Sequence, residues 1–462
     1  MKKKNLIKNS IILILGTTFP KIMMFITLPL YTFFLSKQEY GTYDIIMTLS
    51  TLIIPLVTLQ LHSSIFRYLI DAKQLFEQKK IISTALITIF LIMLVFLLIA
   101  FCIPTSYNHA IRFSIYLYFA INTIFQVFLE IARGLKEKKQ YTLASIINAF
   151  LIVILSVLFM NNLNNKMLAA FVSINLASII AAIYLLIATK IWKYISLKCI
   201  SKELLKEMLI YSIPLIPNSL SWWIINVSDR FIIKFILGVE ANAIYAVANK
   251  IPSIYSLFYN GFNLAWQESA SLELKDDKMY YQNIFTYLSK FLMSGLLILI
   301  SVLPIIFKLL VVGDYSKSYY QMPILCISLL FSSLSAFFGG IYIATKNSKK
   351  LGISSFLASL ANIIINIVLI KSIGLYAASF STLLSFMILT LYRYYDIKKL
   401  CHLKINIKLL IIFVLSLSII VFGYYNENMY FLLANILFSN FIFINFNKKI
   451  IQSMIRKLKL LK

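Results

Sequence analysis

NVSDRFIIKFILG, residues 226–238, lies inside an apolar run that begins near Met208, yet it carries Asp229, Arg230 and Lys234 close together. A bilayer core is about 30 Å thick, and a helix rising about 1.5 Å per residue crosses it in about 20 residues. The run 208–237 is longer than that. A charge in mid-span costs at least about 2.5–3.5 kcal/mol, so such groups turn toward a partner or a wet cavity. Arg230 and Lys234, four residues apart, share one helix face, with Asn226 a turn earlier. The stretch reads as a membrane span with one polar face.

The rest of the chain follows the same pattern. It has 462 residues, 60% of them hydrophobic and only 13% charged, with a mean hydropathy of +0.86. A soluble domain is nearer a quarter charged. Fourteen apolar segments stand out, at 8–35, 43–65, 81–104, 111–132, 141–161, 167–189, 208–237, 241–263, 284–308, 320–344, 351–370, 373–392, 407–424 and 429–447. The expected fold is an all-α polytopic membrane protein with about 14 transmembrane helices. The first and seventh segments exceed one bilayer crossing and are expected to tilt, bend or project. The start, MKKKNLIKNSIILILG, is shaped like a signal peptide, but its apolar run continues to Leu35 with no small-residue cleavage motif, so it reads as a retained first span.

A net charge of +27 invites a nucleic-acid reading, and the distribution of that charge argues against it. Of the 44 basic residues, 38 are Lys and 33 fall in the loops and tails of one side, among them Arg67, Arg133 and Arg393. The other side has only Lys37, Arg112, Lys166, Lys308, Lys317 and Lys371. Such a bias marks the cytoplasmic face, which places both termini inside. Lys21, Arg230, Lys234, Lys250 and Lys290 lie within segments. Cys102, Cys199, Cys326 and Cys401 form no CxxC pair, and His62, His109 and His402 are scattered, so no disulfide framework or metal site is expected. There is no GxxxxGK[ST] motif for a nucleotide.

The longest cytoplasmic connection, 190–207, divides the chain, and its Lys-rich amphipathic character suits either a helix at the membrane surface or a solvated connector. On either side the same hydropathy rhythm recurs. A long Pro-containing span is followed by a short turn and then a second Pro-containing span, and FLSKQEYGTYD (34–44) aligns with ILGVEANAIYA (236–246) when Tyr43 is set on Tyr245. The expected organisation is an N-lobe over 1–189 and a C-lobe over 208–395, parallel repeats of six spans each, followed by two added spans and a basic tail over 396–462.

Position selects the charges that matter. Lys21 follows Pro20 near the middle of the first span, Arg230 lies in the seventh, and Lys250 sits about nine residues, or ~13 Å, inside the eighth. These three are expected to form one cationic wall. Lys234, nearer a span end, suits a gate contact or an interfacial anchor. Asp229 is the carboxylate well inside a span. It is expected either to pair with a cation such as Lys21 or Lys250, or to serve as a coupling site for H+ or Na+. Arg67 and Glu268 are candidate inner-gate contacts or anchors, and Arg112 a candidate point of substrate entry or an anchor. Glu130 and Arg133 are spaced to pair. Pro20, Pro29, Pro55, Pro214, Pro217 and Pro252 mark kinkable helices. Trp222 and Trp223 suit sugar stacking or packing.

LPLYTFFLSKQEYGTYDIIMTLSTLIIPL (28–56), FRYLID (66–71) and SWWIINVSDRFIIKFILGVEANAIYAVANKIP (221–252) resemble the blocks of polysaccharide-biosynthesis flippases, a branch of the MATE-like MOP exporter superfamily. The resemblance spans about residues 5–400. It implies two six-helix lobes around a cationic cavity and the movement of an undecaprenyl-diphosphate-linked oligosaccharide from the inner to the outer leaflet of a bacterial cytoplasmic membrane. Membrane lipid is a further partner, and a glycan polymerase and other assembly proteins are candidate ones. The resemblance carries the family's cavity cations onto Lys21, Arg230 and Lys250. Where relatives commonly have Arg in the first span this chain has Lys21, which substitutes a point charge for a bidentate grip on phosphate. Two other classes compete. A cation or drug antiporter would want buried acids, and residues 11–35 hold none. A membrane polymerase or glycosyltransferase would want clustered carboxylates or longer external loops.

Overall fold

The computed structural model describes residues 2–459 apart from 103–106, 258, 260–261, 264–265, 267–277, 346, 402 and 427. Backbone contacts divide the chain into two compact units, Met1–Ile224 and Ile225–Lys462. The division falls inside a helix, so the 190–207 connector that the sequence suggests as the boundary belongs wholly to the first unit. Among the described residues ten helices are long and apolar enough to cross a membrane, with Thr18–Phe34 a shorter apolar stretch.

The first unit begins with α1 (Lys2–Phe34), which continues helical through Pro20 and Pro29. At about 1.5 Å per residue it outruns the hydrocarbon core, as its length in sequence implied. α2 (Lys37–Val57) follows after a two-residue turn. That turn is sealed locally: the Ser36 hydroxyl accepts from the Glu39 N–H, and the Glu39 carboxylate accepts from the Ser36 N–H at 2.9 Å.

The second apolar segment, expected as one span, is two helices. Pro55 lacks an N–H, and the chain turns out of α2 with Leu59 and Gln60 in the left-handed region, at φ 47° and 57°. The Gln60 N–H closes the turn on the Pro55 carbonyl at 3.0 Å, and α3 (Leu61–Asp71) starts in a new direction. α4 (Leu75–Cys102), α5 (His109–Gly134), α6 (Lys138–Asn162) and α7 (Lys166–Ala188) complete the six spans. Lipid is as apolar as a leucine side chain, so these helices are held by close packing rather than by escape from water. Gly16 of α1 shows how close: a Cβ there would come within 2.8 Å of the Thr142 hydroxyl on α6. The buried face of α7 is correspondingly small, with Ala169, Ala170, Ser173, Ala177 and Ala181. Phe90, Leu91, Leu94, Leu98 and Ile99 of α4 are exposed, as a lipid-facing helix requires.

The connector is strapped to the bundle. Lys190 adopts φ 55° and turns the chain out of α7 into two short 3-10 turns, 191–194 and 197–199. Ile191 is buried with Leu61, Ile65, Ile82 and Val127. The Ser83 hydroxyl of α4 donates to the Tyr194 carbonyl and accepts from the Ser196 N–H, and Thr84 accepts from the Ser201 N–H. Trp192, Ile195, Leu197 and Ile200 remain exposed between lysines, the pattern of a segment resting on a membrane surface. α8 (Lys202–Ser212) is capped by Ser201. The seventh segment is therefore also broken: Pro214 separates α8 from α9 (Leu215–Leu237), which carries the chain into the second unit.

The second unit repeats the opening plan. α9 ends at Gly238, whose φ of 94° suits glycine, and α10 (Val239–Lys250) follows at once. α10 stops before Pro252, and helical structure resumes at Ile254. α11 (Lys278–Leu310), α12 (Met322–Ala344), α13 (Ser348–Ile373) and α14 (Tyr376–Cys401) complete this half, with α15 (Ile407–Tyr425) and α16 (Met429–Lys459) as the added spans. Those two are fastened to α11 by polar groups. The Asn447 amide donates to the Ser294 hydroxyl at 2.9 Å, and the Ser301 hydroxyl lies 3.1 Å from the Asn435 carbonyl.

Candidate functional site

Asp229 is 3% exposed, in the middle of α9. Its carboxylate is held from three other helices. Tyr245 of α10 donates to Oδ2 at 3.0 Å, Asn366 of α13 donates to Oδ1 at 2.8 Å, and the Thr382 hydroxyl of α14 lies 2.6 Å from Oδ2. A second layer stands beside it, with the Ser228 hydroxyl donating to Asn362 Oδ1 at 3.2 Å and the Asn362 amide 3.5 Å from the Thr382 hydroxyl. A cation partner or an ion-coupling role was expected. The hydrogen-bond partners found are neutral, and each comes from a helix that packs around α9, so the carboxylate doubles as the node that ties four helices together.

The cage is rich in oxygen. Asn366 Oδ1 is buried without a hydrogen-bond partner, and the Ala378 carbonyl lies 2.9 Å from the Thr382 hydroxyl. With one carboxylate and several neutral oxygens, the cluster carries a single negative charge in a low-dielectric setting. That donor set matches one proton or one hard monovalent cation. It does not match a divalent metal, and among the described residues no group of three His, Cys, Asp or Glu stands together anywhere.

Arg230 is the next residue on α9 and is half-buried, and Lys234, one turn on, is half-buried with its ammonium 5.6 Å from the Phe235 ring. Lys250 is the last residue of α10, half-buried, directly before the break at Pro252. Arg230 and Lys250 thus sit on consecutive helices joined through Gly238 and tied by the Tyr245–Asp229 bond. Lys21 belongs to the first unit, where it is exposed on α1 just after Pro20.

The candidate gate residues have local roles. Arg67 forms an exposed ion pair with Asp71 on α3. Arg112, at the start of α5, donates to the Tyr116 hydroxyl at 2.9 Å and to the Phe101 carbonyl at the end of α4, with its guanidinium 5.0 Å from the Phe101 ring. These contacts tie the start of α5 to the end of α4. Arg133 and Glu130 pair at 3.4 Å, as their spacing suggested, and Arg133 also lies 3.9 Å from the Phe66 ring. Glu268 lies outside the described residues. Trp223 donates to the Thr48 carbonyl at 3.3 Å, a packing role.

One charge is placed quite differently from expectation. Arg393, assigned by sequence to a basic loop, is 2% exposed within α14. Its guanidinium donates to the Ser335 and Leu351 carbonyls and to the Ser354 and Ser355 hydroxyls, which joins α12, α13 and α14. One turn on, Asp396 accepts from Lys350 and from the Tyr342 hydroxyl. Positive bias alone sends every cation near a span end to a loop. The one available signal was the serine-rich ISSFLAS stretch (353–359), a set of hydroxyls facing an apolar run.

Comparison with known proteins agrees with the fold. The family described as polysaccharide biosynthesis protein matches residues 6–266. No curated protein sequence matches the chain. Among solved structures, the lipid II flippase MurJ in an inward closed conformation is similar with a TM-score of 0.74 at 17% identity, over 96% of this chain and 100% of that one. An inward-facing multidrug resistance MATE transporter of the MOP superfamily is similar with a TM-score of 0.66 at 13% identity, over 84% and 98%. A MOP superfamily transporter from Pyrococcus furiosus, described by a reversed polarity of its binding pocket, gives 0.60 at 12%, over 86% and 96%. The family match covers more than half of the sequence, and the chain belongs to the polysaccharide biosynthesis protein family.

Proposed function

We propose that this member of the polysaccharide biosynthesis family is a flippase of the bacterial cytoplasmic membrane. It moves an undecaprenyl-diphosphate-linked oligosaccharide from the inner to the outer leaflet for surface polysaccharide synthesis. The reading is carried by the α9–α10 hairpin: two cations, Arg230 and Lys250, on membrane-embedded helices that a buried carboxylate fixes in place. A diphosphate entering a low-dielectric passage needs compensating positive charge, and Lys21, Arg230 and Lys250 supply it. The lipid tail stays in the bilayer while the sugars take the hydrated path, and alternating access exposes the passage to each side in turn. The prolines and the helix breaks after Pro55 and before Pro252 give such a motion its flexible points.

Asp229 is the proposed coupling group. Its cage presents one negative charge, which one H+ or one Na+ would neutralise, with the Asn366 Oδ1 as an oxygen that accepts no hydrogen bond, and its loading would alter the contacts between α9 and α10, α13 and α14. The chain is read as a transporter with no catalytic residue, with both termini in the cytoplasm, where sugar-transfer enzymes deliver the substrate; a glycan polymerase is the partner expected to remove the product outside.

The test is leaflet-resolved detection of the lipid-linked glycan in cells. Arg230→Ala and Lys250→Ala are each expected to abolish outer-leaflet glycan while the protein is made and inserted normally. Asp229→Asn keeps the cage and removes its charge, and is expected to abolish the dependence of export on the ion gradient. Normal export by both cation variants would remove the reading, and altered drug susceptibility with intact glycan would favour the antiporter class instead.

A further inference from the structure

A second cavity, separate from the proposed pathway, lies at the lysine-poor end of the second unit, between α11, the short helical turn Ser316–Tyr319, α15 and the start of α16. Its volume is about 230 Å³. Ser301 and Asn435 line its floor, and Lys308 and Asn428 stand about 10 Å higher, seven residues further along α11 and just before α16 begins. Pro304, Phe307 and Leu432 form the apolar wall between.

The chemistry of the lining narrows the ligand. The tyrosines are spent on each other. The rings of Tyr319 and Tyr424 stack at 4.3 Å, and each hydroxyl donates to the other's carbonyl, at 3.1 and 2.8 Å. Tyr320 and Tyr425 stack likewise, and the Tyr425 hydroxyl donates to the Tyr320 carbonyl. The Tyr319 and Tyr424 hydroxyls are therefore not offered to a ligand. The Ser301 and Ser316 hydroxyls and the Asn435 amide also donate to protein oxygens.

Two donors remain. Lys308 is exposed and has no hydrogen-bond or ion-pair partner among the described residues. Asn428 accepts from the Tyr430 N–H at 3.0 Å, which leaves its amide N–H groups to donate. The site offers one positive charge and one amide above an apolar shaft, and its flanks, Leu309 of α11 and Leu433 and Leu437 of α16, are exposed to lipid. A cavity this size holds part of a ligand rather than a whole one.

We propose that it binds a glycerophospholipid of the surrounding leaflet, with the singly charged phosphodiester on Lys308 and Asn428 and the upper part of one acyl chain along Pro304, Phe307 and Leu432. The lipid bridges α11 to the two added spans and secures their attachment at that end. This assignment does not depend on the flippase reading, because none of these residues lies in the proposed pathway.

The test uses the full chain purified with phosphatidylglycerol and examined by native mass spectrometry. Wild type is expected to retain one phosphatidylglycerol more than Lys308→Gln or Leu432→Trp, with retention at that site falling about tenfold or more in each variant. Circular dichroism checks that the variants fold. If Leu432→Trp does not, Lys308→Gln decides alone, since that side chain is exposed. Equal retention by Lys308→Gln and wild type overturns the site. Displacement of the lipid by excess inorganic phosphate overturns its assignment to a phospholipid, in favour of a free anion.

Discussion

Thr27 and Tyr43 in the first unit occupy the same register as Asp229 and Tyr245 in the second, and the two pairs have been built into opposite chemistry. In the first unit the Thr27 hydroxyl donates to its own helix, at the Met24 carbonyl, and Tyr43 packs edge-on to Tyr31 at 5.0 Å and near Phe171. These contacts are between neutral groups. In the second unit the equivalent tyrosine donates to a carboxylate that three helices share. Repeat units that keep one backbone plan therefore need not keep one energetic role. The first is joined by small side chains, edge-on rings and hydrogen bonds between neutral groups, such as Tyr118 to Ser50 at 2.9 Å and Asn175 to the Ser114 carbonyl at 2.9 Å. The second is joined by directional hydrogen bonds to a buried carboxylate.

Exchanging the residues is the harshest way to break this comparison. Asp229→Thr strips a charged acceptor from three donors, each bond to a charged group being worth about 1.5–3 kcal/mol, so a loss of at least about 4 kcal/mol is expected in reversible unfolding in detergent. Thr27→Asp places a carboxylate where no cage exists and is expected to cost about 3 kcal/mol, read as reduced insertion and a lower unfolding midpoint. Tolerance of Thr27→Asp would mean that the first unit already holds a latent cage and that the difference is one of sequence only.

Arginines extend the same contrast between caged and uncaged charge. Arg393→Lys keeps the charge but loses the planar fork that reaches four acceptors on two neighbouring helices, and about 2–3 kcal/mol of stability is expected to go with it in the same assay. Arg67→Ala removes one side of an exposed ion pair and is expected to cost under about 1 kcal/mol. Similar losses for the two would show that burial of Arg393 contributes nothing special.

Much of the fold could be read from hydropathy, because lipid imposes length and polarity on each crossing: all fourteen apolar segments correspond to helical structure. What hydropathy could not show was where a crossing is interrupted. Pro55 does not break α2 at its own position; the helix runs on to Val57, and the turn comes at Leu59 and Gln60, which are left-handed. The site was legible only in its charges. Asp229 stood out against an apolar run, but Tyr245, Asn366 and Thr382 are neutral and average away within theirs, and two of them lie more than a hundred residues from their partner. Arg393 misled for the converse reason, since a cation near a span end looks the same in sequence whether it faces water or a ring of serines.

The turn between α1 and α2 is closed by residues three apart, so it can form as soon as that hairpin leaves the ribosome. The carboxylate on α9 has no such independence: its last hydrogen-bond donor, Thr382, is synthesised 153 residues after it. Tyr245 follows Asp229 by only 16 residues and Asn366 by 137, so through most of that interval the acid has one of its three donors, and a chain that stalls before α14 leaves the cage incomplete. Completion of the cage thus waits on the synthesis of α14, whereas the α1–α2 turn waits on nothing beyond itself.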